Sequence, residues 1–189
     1  MPDQNSSRKA APPEPDQAII LDAMHGDQAA LAVVYDAYAQ RIYRYFYSRV
    51  ENRTDADDLV AQTFLSVIEA LPHYQPRGHF TAWIFQIARS KVMDFFRREH
   101  SSMSKEAQPG GPVFDETLEQ VIQDQALTAL QHKIQLLAED ERELLRLRFV
   151  VDLSYVEIAE LLGRKEDAVR KSVNRIVERL YAQMEAHNA

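Results

Sequence analysis

Residues 154–173, SYVEIAELLGRKEDAVRKSV, read as two short helices joined by a tight turn. With Tyr155 as the first position, Ala159 falls fifth, where a small side chain lets two helices approach. Gly163 falls ninth, where the turn favours a residue tolerant of positive φ, and Val169 falls fifteenth, between the helices. Ile158, Leu161 and Leu162 supply the rest of a small core, and Val173, Ile176 and Leu180 continue the inward stripe of the second helix. Arg170, Lys171, Asn174 and Arg175 are left pointing outward. This is the spacing of a helix-turn-helix, whose second helix enters the major groove, where Arg can pair with guanine and Asn with adenine. A plain helical hairpin with a solvated charged face has the same apolar spacing, so the motif alone names no family.

The whole chain carries the opposite charge from its second helix. Its 189 residues hold 22 Lys and Arg against 29 Asp and Glu, a formal net charge of −7. DNA affinity comes largely from cations at phosphates. The basic residues are gathered in two places. From Gly163 to Leu180 there are six basic and three acidic residues, and from Arg77 to His100 five basic and two acidic, a local excess of +3 in each. A protein that reaches DNA on a larger partner needs little affinity of its own.

Composition excludes several classes. With no cysteine there is no disulfide and no thiolate metal site, which fits a reducing cytoplasm. No apolar run reaches the roughly 18 residues of a membrane span, so no membrane insertion is expected. Among the histidines His25, His73, His79, His100, His132 and His187 no pair has helical ligand spacing, and no nucleophile–base pair or phosphate-cradling glycine loop is present. The expectation is a non-enzymatic protein with no cofactor, no metal and no catalytic residues.

Three- and four-residue apolar periodicity recurs and strand alternation is scarce, so the expected class is all-α: two small helical domains joined by a flexible linker. Residues 1–16 read as a disordered tail. The first domain, 17–100, starts with a short helix broken at Gly26, with Asp27 capping the long helix that follows. That helix carries a stripe of Leu31, Val34, Tyr35, Tyr38, Ile42, Tyr45 and Phe46. The next helix is expected to be capped by Thr54, to bury Leu59, Val60, Phe64, Val67, Ile68 and Leu71, and to end at Pro72. In a third helix, Ile84, Ile87, Ala88, Val92 and Phe95 face inward, and Trp83 reads as a packing residue. Residues 101–116, with PGGP at 109–112, form the linker, and 117–189 the second domain with the helix-turn-helix.

Three motifs in order, DADDLVAQTFLSVIEAL (55–71), FTAWIFQIARSKVMDFFRRE (80–99) and LAEDERELLRLRFVVDLSYVEIAELLGRKEDAVRKSVNRI (137–176), together resemble the extracytoplasmic-function (ECF) sigma factors of bacterial RNA polymerase over about residues 17–184. The resemblance implies that 17–100 is sigma region two and 117–189 sigma region four, without the additional domains of primary sigma factors or the C-terminal extension of some ECF groups. It implies that the protein binds core RNA polymerase, at the beta-prime coiled coil and the beta subunit, and directs it to promoter DNA. The coiled-coil docking face would be Asp55, Asp57, Asp58, Gln62 and Phe64. Here the chain departs from the family, which follows "DLV" with Gln-Glu where this sequence has Ala61-Gln62.

The loop Arg77, Gly78, His79 and Phe80 resembles the family loop that captures a flipped base of the minus-ten element. Such a base needs a pocket with an apolar wall and polar edge contacts. Arg89, Lys91, Arg97 and Arg98 would hold phosphates beside it. For the minus-35 element, Arg170, Lys171 and Asn174 would read bases, with Arg164, Lys165 and Arg175 at phosphates. Many family members are held by an anti-sigma factor, so that too is among the implied partners, although the residues themselves do not decide it. The competing reading is a stand-alone helix-turn-helix regulator whose first domain senses a ligand or dimerises. It leaves unexplained why that domain carries both a basic helix and an acidic face.

Overall fold

The computed structural model describes residues 14–76, 78–102 and 118–188. Arg77, the tail through residue 13 and the linker from 103 to 117 lie outside the described residues, as does the expectation of disorder in the tail and most of the linker. Eight helices are described: α1 (Gln17–Met24), α2 (Gln28–Val50), α3 (Arg53–Ala70), α4 (Phe80–Ser102), α5 (Leu118–Gln135), α6 (Glu139–Leu145), α7 (Tyr155–Leu162) and α8 (Glu166–Asn188). No strand occurs among the described residues, as the periodicity predicts.

Local chemistry sets most helix ends. Asp27 caps α2 by accepting from the Ala30 N–H at 2.8 Å. For α3 the cap is Asn52, which accepts from the N–H groups of Thr54 and Asp55, so the cap lies two residues before the one expected at Thr54. Asn and Thr both serve at this position; the earlier one captures two free N–H groups at once. A short 3-10 turn, Leu71–His73, follows α3 at Pro72. Helix α4 runs to Ser102, two residues into the expected linker. Helix α6 continues into a wide π turn over Arg146–Val150.

Helices α2, α3 and α4 pack as a bundle with α1 lying across α2. Of the expected α2 stripe, Val34, Tyr38, Ile42, Tyr45 and Phe46 are buried, while Tyr35 is half-exposed and packs its ring on Phe64 at 4.6 Å. Ile68 is 50% exposed, contrary to its place in the expected α3 core. It lies one residue past Val67, which takes the inward position; the stripe is narrower than the sequence pattern drew it.

The second group, α5 to α8, is not separate from the first. The apolar core is continuous from Ala23 to Leu180, and α2 and α4 pack directly on the π turn and α7. A polar seam accompanies it. Arg41 donates from Nε to the Val151 carbonyl at 3.2 Å, and Tyr45 donates to Glu143 at 2.7 Å. Arg49 pairs with both Glu143 (3.1 Å) and Glu139 (3.3 Å). Burial pushes the Tyr38 and Tyr45 phenols well above their ordinary range.

Candidate nucleic-acid interface

The helix-turn-helix forms at the expected residues. Ser154 caps α7 in a reciprocal capping box: the Glu157 N–H reaches the Ser154 hydroxyl, while Glu157 Oε2 accepts from the Ser154 N–H (2.7 Å) and hydroxyl (2.6 Å). Burial would raise the Glu157 carboxyl pKa, but the hydrogen bonds from Ser154 outweigh it and hold the group below the usual carboxylate range. Gly163 ends α7 at φ 62°, ψ 34°, the left-handed geometry that suits glycine. Ala159, Val169, Val173, Ile176 and Leu180 are buried, and Ile158 is fully so.

The outer face of α8 presents Arg170, Lys171, Asn174 and Arg175 to solvent, with Arg164 and Lys165 exposed in the turn before it. Two of these cations already have partners. Arg164 donates to the Ser172 hydroxyl at 2.9 Å, and Arg170 pairs with Glu166. Arg170 also stands 5.3 Å from the Tyr155 ring centre, which Arg148 approaches at 5.1 Å. Tyr155 is thus an aromatic rest for two guanidiniums, a role that its motif position did not reveal.

The residues around α4 fall into two sets. Phe80 is 7% exposed and stacks with Trp83 at 5.3 Å, with Tyr74 edge-on at 5.1 Å; it belongs to the wall of the bundle. Trp83 is part-buried against that core, as its reading as a packing residue requires. Gly78 and His79 are exposed at the mouth of a cleft of about 150 Å³ walled by Tyr74, Trp83 and Gln86 on one side and by Glu160 and Leu161 of α7 on the other. Glu160 accepts from the His79 backbone N–H with both oxygens (3.1 and 3.0 Å) and meets the ring Nδ1 at 2.8 Å. That hydrogen bond raises the His79 pKa above its ordinary value. On α4, Arg97 and Arg98 are exposed, with Arg97 paired to Asp94 at 2.9 Å, and Lys91 is half-buried. Arg89 turns toward the second group and stands 3.5 Å from Glu143.

On α3, Asp57, Asp58 and Gln62 are exposed and Asp55 is half-exposed. Phe64 is 7% exposed and packs inward, so it supports this surface and does not form it. Leu65 (63% exposed) and Ile68 (50%) share the surface instead. Ile68 was expected in the core, where an apolar residue on an amphipathic helix is ordinarily assigned, and Leu65 carried no expectation. Among the described residues no three metal-ligating side chains converge, and no helix is long and apolar enough to cross a membrane.

Comparison with known proteins agrees with this arrangement. Residues 34–102 match the model for sigma-70 region 2, and residues 127–180 that for sigma-70 region 4. The chain is 33% identical over 184 residues to the ECF RNA polymerase sigma factor SigE of Mycolicibacterium smegmatis, covering 93% of this chain and 70% of that protein. It is 33% identical over 171 residues to SigD of Mycobacterium tuberculosis, covering 86% and 81% respectively. A match to BldN of Streptomyces coelicolor, at 30% identity, covers 86% of this chain but only 63% of that longer protein. A chain of the complex of CnrH with the cytosolic domain of CnrY has the same fold, with a TM-score of 0.61 and 24% identity over 90% of this chain and 97% of that one. The chain therefore belongs to the ECF family of RNA polymerase sigma factors.

Proposed function

We propose that the protein joins core RNA polymerase in the cytoplasm and chooses the promoters at which it starts. Sigma factors of this family are non-enzymatic transcription initiation factors, and this chain is one of them. The observation that carries the residue-level reading is the segregation of charge on the fold. A basic, solvent-facing α8 face and a basic α4 flank stand apart from an acidic α3 face. A regulator acting alone would need no such acidic face beside its nucleic-acid surfaces, and membership in the sigma family sets that reading aside.

In this reading Arg170, Lys171 and Asn174 read the duplex minus-35 element, with Arg164, Lys165 and Arg175 at phosphates. The Gly78–His79 loop and its cleft take the flipped base of the minus-ten element, with Arg77, Lys91, Arg97 and Arg98 along the strand and Phe80 as the cleft's buried support. Asp55, Asp57, Asp58 and Gln62 dock on the beta-prime coiled coil, joined by Leu65 and Ile68. Melting draws on binding energy, with no nucleotide hydrolysed. An anti-sigma factor is a further partner proposed on family grounds.

The test is reconstituted transcription. Purified core polymerase plus this protein should give transcripts from promoters recovered by genomic pull-down. No promoter-specific transcript from the holoenzyme would overturn the reading.

A further inference from the structure

Glu14 stands just ahead of the Asp16 cap of α1, next to the buried Pro15, and turns its carboxylate onto the bundle. Its Oε1 accepts from the Thr81 hydroxyl at 2.7 Å and pairs with Arg41 Nη1 at 3.3 Å. Thr81 is fully buried, and Arg41 is 6% exposed. A hydroxyl has one proton to give. Thr81 gives its own to Glu14, so the buried Tyr38 phenol donates to Thr81, at 3.0 Å. One acid thus joins α2, through Tyr38 and Arg41, to the first turn of α4. Glu157 also reaches Thr81 and the Arg41 charge, but its Oε2 is already held by the Ser154 N–H and hydroxyl.

Thr81 adjoins the loop to which the proposed function gives the flipped base. Phe80 beside it stacks on Trp83, and the Trp83 N–H donates to the His79 carbonyl at 3.2 Å, so the loop and the first turn form one piece. The Glu14 charge is felt at His79 too, where it adds to the upward shift of the ring pKa. A site that is ordered before its ligand arrives binds at lower entropic cost. We infer that Glu14 is a positioning residue for promoter capture: by holding Thr81 and Arg41 it fixes the first turn of α4, and with it Gly78, His79 and Phe80, before the strand arrives. The inference rests on the assignment of that loop to the minus-ten strand, but the hold on the turn can be measured without DNA.

Trp83 is the single tryptophan of the chain and reports on this turn. In the free full-length protein, Glu14→Ala should raise acrylamide quenching of its emission and speed exchange of its amide hydrogen. The expected change in exchange is about threefold to tenfold, the range for one lost hydrogen bond. Thr81→Val should act in the same way from the other side. Thr81→Ser should not, and Glu14→Gln, which keeps an acceptor for Thr81, should fall between. In the holoenzyme, Glu14→Ala should weaken binding of a single-stranded oligonucleotide carrying the minus-ten element of a promoter recovered in the transcription assay, by the same factor. Binding of a duplex carrying only the minus-35 element should be unchanged. Equal losses on both DNAs, or an unmoved Trp83 in both Glu14→Ala and Thr81→Val, would overturn the positioning role. His79→Ala separates the two readings. Strand binding weakened there but intact in Glu14→Ala overturns the role of Glu14, and strand binding intact in both overturns the assignment of the loop.

Discussion

Tyr45 in α2 donates a 2.7 Å hydrogen bond to Glu143 in α6, 98 positions along the chain, and both side chains are buried. The same carboxylate takes Arg49 at 3.1 Å and lies within 3.6 Å of Arg146. Burial would lower the Arg49 pKa, but Tyr45 and Glu143 outweigh it and raise it. Glu143 is therefore an anion shared by a phenol and two arginines, both of which also pair with Glu139. Glu143→Ala leaves them without it and should cost about 3 kcal/mol, the lower range for breaking a buried ion pair. In a chain of this size that corresponds to a fall of roughly 6–12 °C in Tm by calorimetry. Glu143→Gln, which keeps an acceptor for Tyr45, should cost less.

The contact between Glu160 and His79 should depend on pH. Glu160 raises the His79 pKa by its hydrogen bond, and Glu157 and Glu14 add to the rise through their charge. A histidine whose pKa is raised by a contact contributes to that contact fully below its ordinary value near 6.5. That contribution is lost as pH climbs through the raised value. Energy transfer between dyes placed at Glu69→Cys in α3 and Tyr181→Cys in α8 should fall as pH rises from the ordinary histidine value through the raised one. In an NMR titration, Glu160→Ala should bring the His79 midpoint down toward its ordinary value. A midpoint unmoved by that substitution would refute the coupling.

Gly163 sits at φ 62° with nothing close to the position that a Cβ would occupy. The cost of a side chain there is conformational, not steric against neighbours. Gly163→Ala should destabilise by about 1 kcal/mol in urea unfolding, with the slope of the transition unchanged.

On α8, base readout and phosphate contact separate by experiment. Asn174→Ala should lose roughly 1–3 kcal/mol of discrimination at one minus-35 position in holoenzyme binding. Arg175→Ala should weaken binding evenly across sequences and reduce the salt slope by about 1. Equal effects of the two variants on every promoter would reverse these assignments.

For polymerase docking, Asp58→Arg combined with Gln62→Ala should lower core affinity at least about tenfold, since reversing one charge in a complementary interface costs several kcal/mol. Fluorescence polarisation of labelled protein against core enzyme reads this directly, and affinity unchanged by the pair would move the docking surface elsewhere.

The helices were legible because their causes are local. The alternation of three and four in α8, the glycine at 163 and the acid at 27 each act within a turn or two. The cap of α3 was misplaced because Asn52 and Thr54 are both good caps, and the choice depends on which side chain meets two N–H groups at once. Phe64 is buried as the apolar pattern predicts, which removes it from the docking face that the resemblance implied, while Ile68 is exposed, because an amphipathic pattern gives a face but not its width. Glu143 and Glu160 could not have been singled out at all. Each looks like one acid among many on a solvated helix, and the partners that give them meaning lie 81 to 98 positions away.

The contact between Glu160 and the Gly78–His79 backbone also places two parts of the chain under a shared selective constraint. A side chain at position 78 would push the Glu160 carboxylate off the His79 backbone N–H. If a relative replaces Glu160 with a small residue, positions 78 and 79 are released from this one constraint. Across a deep set of homologues, positions 78, 79 and 160 should therefore change together, while Leu161, which lines the same cleft, should track the size of residue 83.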